Sequence, residues 1–135
     1  MASLDYTKKV LKRFAKPKFA GEIKNADAVG QVGNAACGDV LRVYLKIRKN
    51  KKGEDYIKDV KFKTMGCVAA IASSDAVCEL AKGKTIKEAL KINKKDILKE
   101  VGNLPFIKHH CSILGEEALL KAIENYEKKK STKPH

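Results

Sequence analysis

Between residues 41 and 48 apolar and polar side chains alternate without a break, with Leu41, Val43, Leu45 and Ile47 set against Arg42, Tyr44, Lys46 and Arg48. A period of two over this length predicts a half-buried strand. Asn50-Lys-Lys-Gly53 supplies a turn, and beyond it Val60, Phe62 and Thr64 alternate with Lys61 and Lys63, which predicts a hairpin. Residues 26–34, with Gly30 and Gly33, read as an edge strand. After Gly66 the period changes. Residues 67–82 are Ala-rich and helical, with Gly83 placed to end the helix. Shorter helices are predicted over 84–90 and 94–101. From Cys111 onward Leu114, Ala118, Leu119, Ala122, Ile123 and Tyr126 trace a helical stripe. Strands first and helices afterward predict an α+β domain, a small antiparallel sheet of about three strands covered by several helices.

At the N-terminus, residues 4–15 read as a short amphipathic helix stopped by Pro17, with Val10, Leu11 and Phe14 on one face and Lys8, Lys9, Lys12 and Arg13 opposite. Two readings stand: a helix docked on the core, or a mobile basic arm that orders on a partner. The pattern divides the chain into an N-terminal basic helix and linker (1–24), a folded unit (25–130) and a disordered tail (131–135). No repeat and no second domain are visible.

A chain of 135 residues with 33% charged positions fits one globular domain. No run of about 18 apolar residues occurs, which excludes a membrane-crossing helix. The first residues lack the apolar core of a signal peptide, so a cytoplasmic location and reduced cysteines are expected. The net charge of +13 permits phosphate contacts with nucleic acid. Few aromatics occur, however, none interleaved with the basic clusters, and acidic residues recur. A lysine-rich surface meeting acidic protein partners is the better reading.

Chemistry concentrates at the cysteines. Cys37, Cys67 and Cys111 fall at junctions between predicted elements, with Asp39 two residues from Cys37 and His110 next to Cys111. Thiolate, carboxylate and imidazole hold zinc or iron–sulfur clusters. These residues are distant in sequence and no Cys-x-x-Cys pair occurs, so only the fold can gather them. Cys67 and Cys111 open predicted helices, where the macrodipole favours thiolate. Gly38 frees the backbone between Cys37 and Asp39. His109 and His110 point about 100° apart on a helix, and contiguity with Cys111 favours His110. Cys78 lies eleven residues after Cys67, about 16 Å along the same helix, and reads as a core residue.

Three blocks carry a resemblance: Gly-Asn-Ala-Ala-Cys-Gly-Asp-Val (33–40), Phe-Lys-Thr-Met-Gly-Cys-Val-Ala-Ala-Ile-Ala-Ser-Ser (62–74) and His-Cys-Ser-Ile-Leu (110–114). From about residue 25 to 129 the chain resembles the iron–sulfur cluster assembly scaffolds, IscU and the N-terminal domain of NifU. The resemblance implies that 25–130 is a non-catalytic scaffold domain and that Cys37, Asp39, Cys67, His110 and Cys111 surround its assembly site. It implies a transient 2Fe-2S cluster, sulfur from a cysteine desulfurase of the NifS/IscS type, and transfer to recipient apo-proteins. Asp39 and His110 both remain open as the ligand beside three thiolates. Zinc also suits that donor set and can occupy the isolated protein. Cys111, beside Lys108 and His110, is the candidate persulfide acceptor, with Cys37 second. Leu-Pro-Phe-Ile-Lys (104–108) stands where bacterial IscU proteins have Leu-Pro-Pro-Val-Lys, so the family's ATP-driven chaperone is not expected here. Whether a cluster bridges a homodimer stays open. The alternative is a zinc-containing sulfur acceptor similar to SufU, from which the absence of a long insertion between Cys67 and Cys111 separates this chain.

Overall fold

The computed structural model describes residues 7–34, 39–65, 68–102 and 110–132, with backbone alone at 34, 39, 110–112 and 130–132. Its elements run α1 (Lys8–Ala15), β1 (Ala28–Asn34), β2 (Asp39–Lys49), β3 (Asp55–Thr64), α2 (Val68–Ala81), α3 (Ile86–Ala89), α4 (Lys94–Val101) and α5 (His110–Thr132). The strands form an antiparallel sheet in the order β1-β2-β3. The α+β expectation holds, as does the edge position of β1.

Register explains which face is covered. Gly30, Val43 and Phe62 stand side by side across the sheet, as do Ala28, Leu45 and Val60. The larger side chains of these rows are buried and belong to one core with α2, α4 and α5. The opposite face carries Gln31, Arg42 and Lys63 in one row and Val29, Tyr44 and Lys61 in the next. A register shift between Lys46 and Ile47 marks a bulge in the hairpin. Its turn closes where Gly53 N–H donates to Asn50 O at 3.0 Å, with Gly53 at φ +79°. Tyr44 departs from the alternation, for it lies on the polar face yet is buried. Long basic stems on that face can shield a ring while their charged ends stay in water.

The helices obey their end signals. α2 is the central helix, with ten of its fourteen residues buried, and stops before Gly83 at φ +86°. Reciprocal capping boxes, Thr85 with Glu88 and Asn93 with Asp96, start α3 and α4 and fix them as separate helices. α4 ends at Gly102, in the left-handed conformation that C-caps favour. Ala118, Leu119, Ala122 and Ile123 of the α5 stripe are buried. The helix extends through Ser131 and Thr132, which the sequence assigns to the tail. Among the described residues no helix is long and apolar enough to cross a membrane.

α1 is docked, and in an orientation the apolar pattern did not predict. Val10 is fully buried, but Leu11 and Phe14 are 46% and 41% exposed. The position turned inward with Val10 is Arg13. Its guanidinium meets Asp75 at 2.9 Å, Glu79 at 3.3 Å and Glu100 at 3.0 Å, tying α1 to α2 and α4. Asp75 is 1% exposed and also accepts from Phe19 N–H at 2.9 Å. A buried carboxylate must be paired, and that requirement outweighs the gain from turning two half-exposed apolar side chains inward.

Candidate metal centre

Two close contacts determine where α5 lies. Gly30 presents bare backbone to the helix, where an added Cβ would sit 2.3 Å from Ala122 N and 2.5 Å from Ala118 O. One residue earlier in β1, Val29 O accepts from Asn125 Nδ2 at 2.7 Å. Rising strand number therefore meets falling helix number, and α5 runs antiparallel to β1. From Ala118 back to His110 is eight residues, about 12 Å of helix. From Gly30 to Asn34 is four residues, about 13 Å of strand. The first turn of α5 thus reaches the same end of the sheet as the last residue of β1.

The other chain ends meet there too. Asn34 is the register partner of Asp39, so the link 35–38 that contains Cys37 joins two paired residues. Met65 N–H donates to Val40 O at 3.1 Å, and Thr64 Oγ1 donates to the same carbonyl at 2.6 Å. The link 66–67 departs from that point and leads into α2 at Val68. One end of the sheet accordingly carries the backbone of Asp39, the backbone of His110 and Cys111 at the start of α5, and the residues that flank Cys37 and Cys67. Cys37, Cys67, His109 and the 104–108 segment lie outside the described residues, and of Asp39, His110 and Cys111 only the backbone is described. Among the described residues no group of three His, Cys, Asp or Glu side chains is arranged to hold a metal.

Cys78 is fully buried on α2, and burial pushes its thiol pKa well up. A neutral thiol in the core packs as a small hydrophobe, as its spacing predicts.

The described surface beside this end is cationic. A groove of about 360 Å³ is lined by Gln31, Val40, Arg42, Lys63, Thr64 and Met65, and Met65 is 80% exposed. Arg42 Nε donates to Gln31 Oε1 at 2.8 Å, and Lys63 pairs with Glu22. The Glu22 hydrogen bond holds the Lys63 pKa above its ordinary value, and the same contact lowers that of Glu22. Sequence reading did not single out this flank. Arg42 and Lys63 are visible there as the polar alternates of two strands, but only register makes them neighbours.

The described residues define an α+β domain in which a three-stranded antiparallel sheet is covered by helices and the start of α5 comes to the end of the sheet where Asn34 pairs with Asp39. Comparison with known proteins makes this specific. Residues 5–133 match the NifU-like N-terminal domain model. The "Iron-sulfur cluster assembly scaffold protein IscU 1" of Archaeoglobus fulgidus is 47% identical over 124 residues, covering 92% of this chain and 78% of that protein. The "Nitrogen fixation protein NifU" of Trichormus azollae is 48% identical over 128 residues, covering 90% of this chain and 42% of that one. Among solved structures, a scaffold protein for the SUF system from Fervidobacterium islandicum superposes with TM-score 0.70 at 26% identity, over 87% of this chain and 96% of that one. The chain belongs to the NifU-like N-terminal domain family.

Proposed function

We propose that this protein is a non-catalytic scaffold on which a 2Fe-2S cluster is assembled and then passed to recipient apo-proteins, in the reducing cytoplasm. Its support is the meeting of α5's first turn with the Asn34–Asp39 pair and the Met65–Val40 contact, the geometry needed to gather residues 37, 39, 67, 110 and 111. The donor set suits the cargo. Cys37, Cys67 and Cys111 supply three thiolates, and Asp39 or His110 supplies a fourth, non-thiolate group. Replacement of thiolate by nitrogen or oxygen ligands changes a cluster's electronics, and an incomplete thiolate set suits a cluster that must leave.

Sulfur arrives from a cysteine desulfurase. The Cys111 thiolate attacks the outer sulfur of the donor's persulfide, the donor's S–S bond breaks, and the donor cysteine departs as thiolate while Cys111 becomes the persulfide. The start of a 23-residue helix favours the attacking thiolate.

The test combines the chain, a desulfurase, cysteine, ferrous iron and an apo-ferredoxin acceptor. Cys111→Ser should lose the persulfide mass shift seen with the unsubstituted chain, and Asp39→Ala should slow cluster transfer by at least tenfold. Undiminished persulfide in the first removes Cys111 as acceptor, and unchanged transfer in the second removes Asp39 as a controlling ligand. A second reading, a zinc-containing sulfur acceptor, draws on the likeness to the Fervidobacterium protein of the SUF system. The 47% identity to a relative named IscU favours the scaffold.

A further inference from the structure

The two edges of the sheet are finished differently. The outer edge of β3 is covered: Phe62 N–H donates to Phe19 O at 2.9 Å, Gly21 N–H to Phe62 O at 2.9 Å, and Ile57 N–H to Lys84 O at 2.8 Å. The outer edge of β1 is not. Met65 N–H donates to Val40 O, so Val40 turns its main-chain groups toward β3 and the next residue, Leu41, turns its own toward β1. Val29, Gln31 and Gly33 lie opposite Tyr44, Arg42 and Val40 in the register, so their N–H and C=O groups point away from the sheet. Val29 O agrees with this, since Asn125 Nδ2 of α5 takes it from outside. Among the described residues nothing pairs with Val29 N–H or with either main-chain group of Gln31 and Gly33. All three residues are exposed.

Exposed edges are usually guarded by lysine, proline or a covering element. β1, Ala-Val-Gly-Gln-Val-Gly-Asn, holds no charge and no proline, in a chain that is 33% charged. Such an edge is ready to accept a further strand. A second copy of this chain cannot supply it. α5 lies directly over β1 at Gly30. Antiparallel pairing of two β1 strands would set two α5 helices on one face above strands about 4.8 Å apart, whereas packed helices need about 8–10 Å. The occupant is therefore a strand with no helix above it, an extended segment.

Recipients of a cluster supply such segments. A protein that lacks its metal lacks the site as well, and its ligand-bearing stretches stay unfolded until loaded. Main-chain pairing accepts an extended stretch of almost any sequence, which suits a scaffold that serves more than one recipient. Charge narrows the choice. Arg42 donates to Gln31 Oε1 at 2.8 Å and has no carboxylate partner among the described residues, so an acidic side chain on the added strand would find it. The edge also leads to the right place. Gly33 is followed by Asn34, the register partner of Asp39, so a segment paired along β1 carries its continuation to the end of the sheet proposed to hold the cluster.

We infer that the outer edge of β1, from Val29 to Gly33, receives an extended, acidic segment of a recipient apo-protein as an added strand during cluster transfer. This rests on the scaffold reading above. Amide hydrogen exchange, followed residue by residue on the full chain with and without saturating 2Fe-2S apo-ferredoxin, tests it. Exchange at Val29, Gln31 and Gly33 should slow about tenfold or more on binding, the effect of closing one or two backbone hydrogen bonds. Ala28, Gly30 and Val32, which face β2, should change little. Ferredoxin already folded around its cluster should protect none of them. Gln31→Pro removes an outward donor and no β1–β2 bond, a position where a strand tolerates proline. It should weaken apo-ferredoxin binding about tenfold while the amides that face β2 stay protected.

Bound apo-ferredoxin that leaves the three outward amides exchanging as before overturns the assignment, and so does the absence of any binding. Protection that appears with rising concentration of the chain alone, or with the desulfurase and not with apo-ferredoxin, overturns it as well. Failure of the unsubstituted chain to load iron and inorganic sulfide would instead sink the scaffold reading. Cluster transfer to apo-ferredoxin with an unprotected edge would sink the docking alone.

Discussion

Gly30→Ala should destabilise the fold by about 3 kcal/mol or more, well above the usual cost of one added methyl. The added Cβ would lie 2.3 Å from Ala122 N and 2.5 Å from Ala118 O, both of them helix backbone. No rotamer change relieves a clash with backbone, so α5 must move off β1, forfeiting contacts of Ala118, Leu119, Ala122 and Ile123 with the core. Gly53→Ala is the contrast. Gly53 sits at φ +79° in open space, and its substitution should cost about 1 kcal/mol, from backbone conformation alone. Urea denaturation of both variants checks the pair. A Gly30→Ala cost no larger than that of Gly53→Ala would mean the helix is not seated on bare strand backbone. The functional consequence follows from the same geometry, because the first turn of α5 carries His110 and Cys111 and shifts with the helix.

Arg13→Ala should cost about 3–5 kcal/mol, the range seen when one partner of a buried ion pair is removed. Against a typical domain stability of about 5–15 kcal/mol this approaches unfolding. Asp75, with 1% of its side chain exposed, would lose its guanidinium at 2.9 Å. Burial opposes the charge on Arg13, but its hydrogen bonds to Glu79 and Asp75 prevail and hold its pKa above the ordinary value. Glu79 and Glu100 share a hydrogen bond that lowers the pKa of the first and raises that of the second. Their linkage signs are therefore opposite. Glu79, depressed, adds stability at neutral pH that is lost as pH falls through its folded pKa. Glu100, raised, favours the fold while protonated, and that contribution is lost as pH rises through its folded pKa. Removing Arg13 raises the folded-state pKa values of both carboxyls, so the variant's fold binds more protons than the parent's. The deficit should be largest at pH 7 and shrink on acidification. Arg13→Met/Asp75→Leu, which removes both charges, should be more stable than Arg13→Ala, since no buried charge is left unpaired. A deficit that is constant from pH 7 to pH 4 would show that Arg13 acts by packing alone.

Periodicity carried most of the architecture. The alternation over 41–48, the Asn50–Gly53 turn and the α5 stripe each describe a surface half in and half out of the core, and such surfaces announce themselves in sequence. α1 was legible as a helix but not in its rotation. Its apolar residues span an arc wide enough to allow several orientations, and a single acid decides among them. Asp75 was the available signal: a carboxylate in the middle of Val68–Ala81, a stretch of apolar and small residues in which Glu79 is the one other acid, requires a cation from elsewhere in the chain. Tyr44 was misjudged for a related reason, since a period-two pattern does not register shielding by basic neighbours. At the candidate site, residue types and local spacing pointed to Cys37, Asp39, Cys67, His110 and Cys111 as donors. That the start of α5, the backbone of Asp39 and the residues flanking Cys37 and Cys67 come to one end of the sheet was not derivable from spacing. It depends on the antiparallel course of α5 along β1, which a glycine at position 30 allows and no local pattern reveals.

Cys37, Cys67 and Cys111 are proposed to hold the cluster under assembly at one end of the sheet. Anaerobic reconstitution with ferrous iron, cysteine and a cysteine desulfurase tests it most directly, with iron, acid-labile sulfide and zinc counted per chain beside the visible absorption spectrum. Iron and sulfide are expected in equal amounts with a 2Fe-2S absorption envelope, abolished by Cys37→Ser, Cys67→Ser or Cys111→Ser and retained in Cys78→Ser. Zinc that iron and sulfide fail to displace, or cluster content indifferent to those three cysteines, would contradict it.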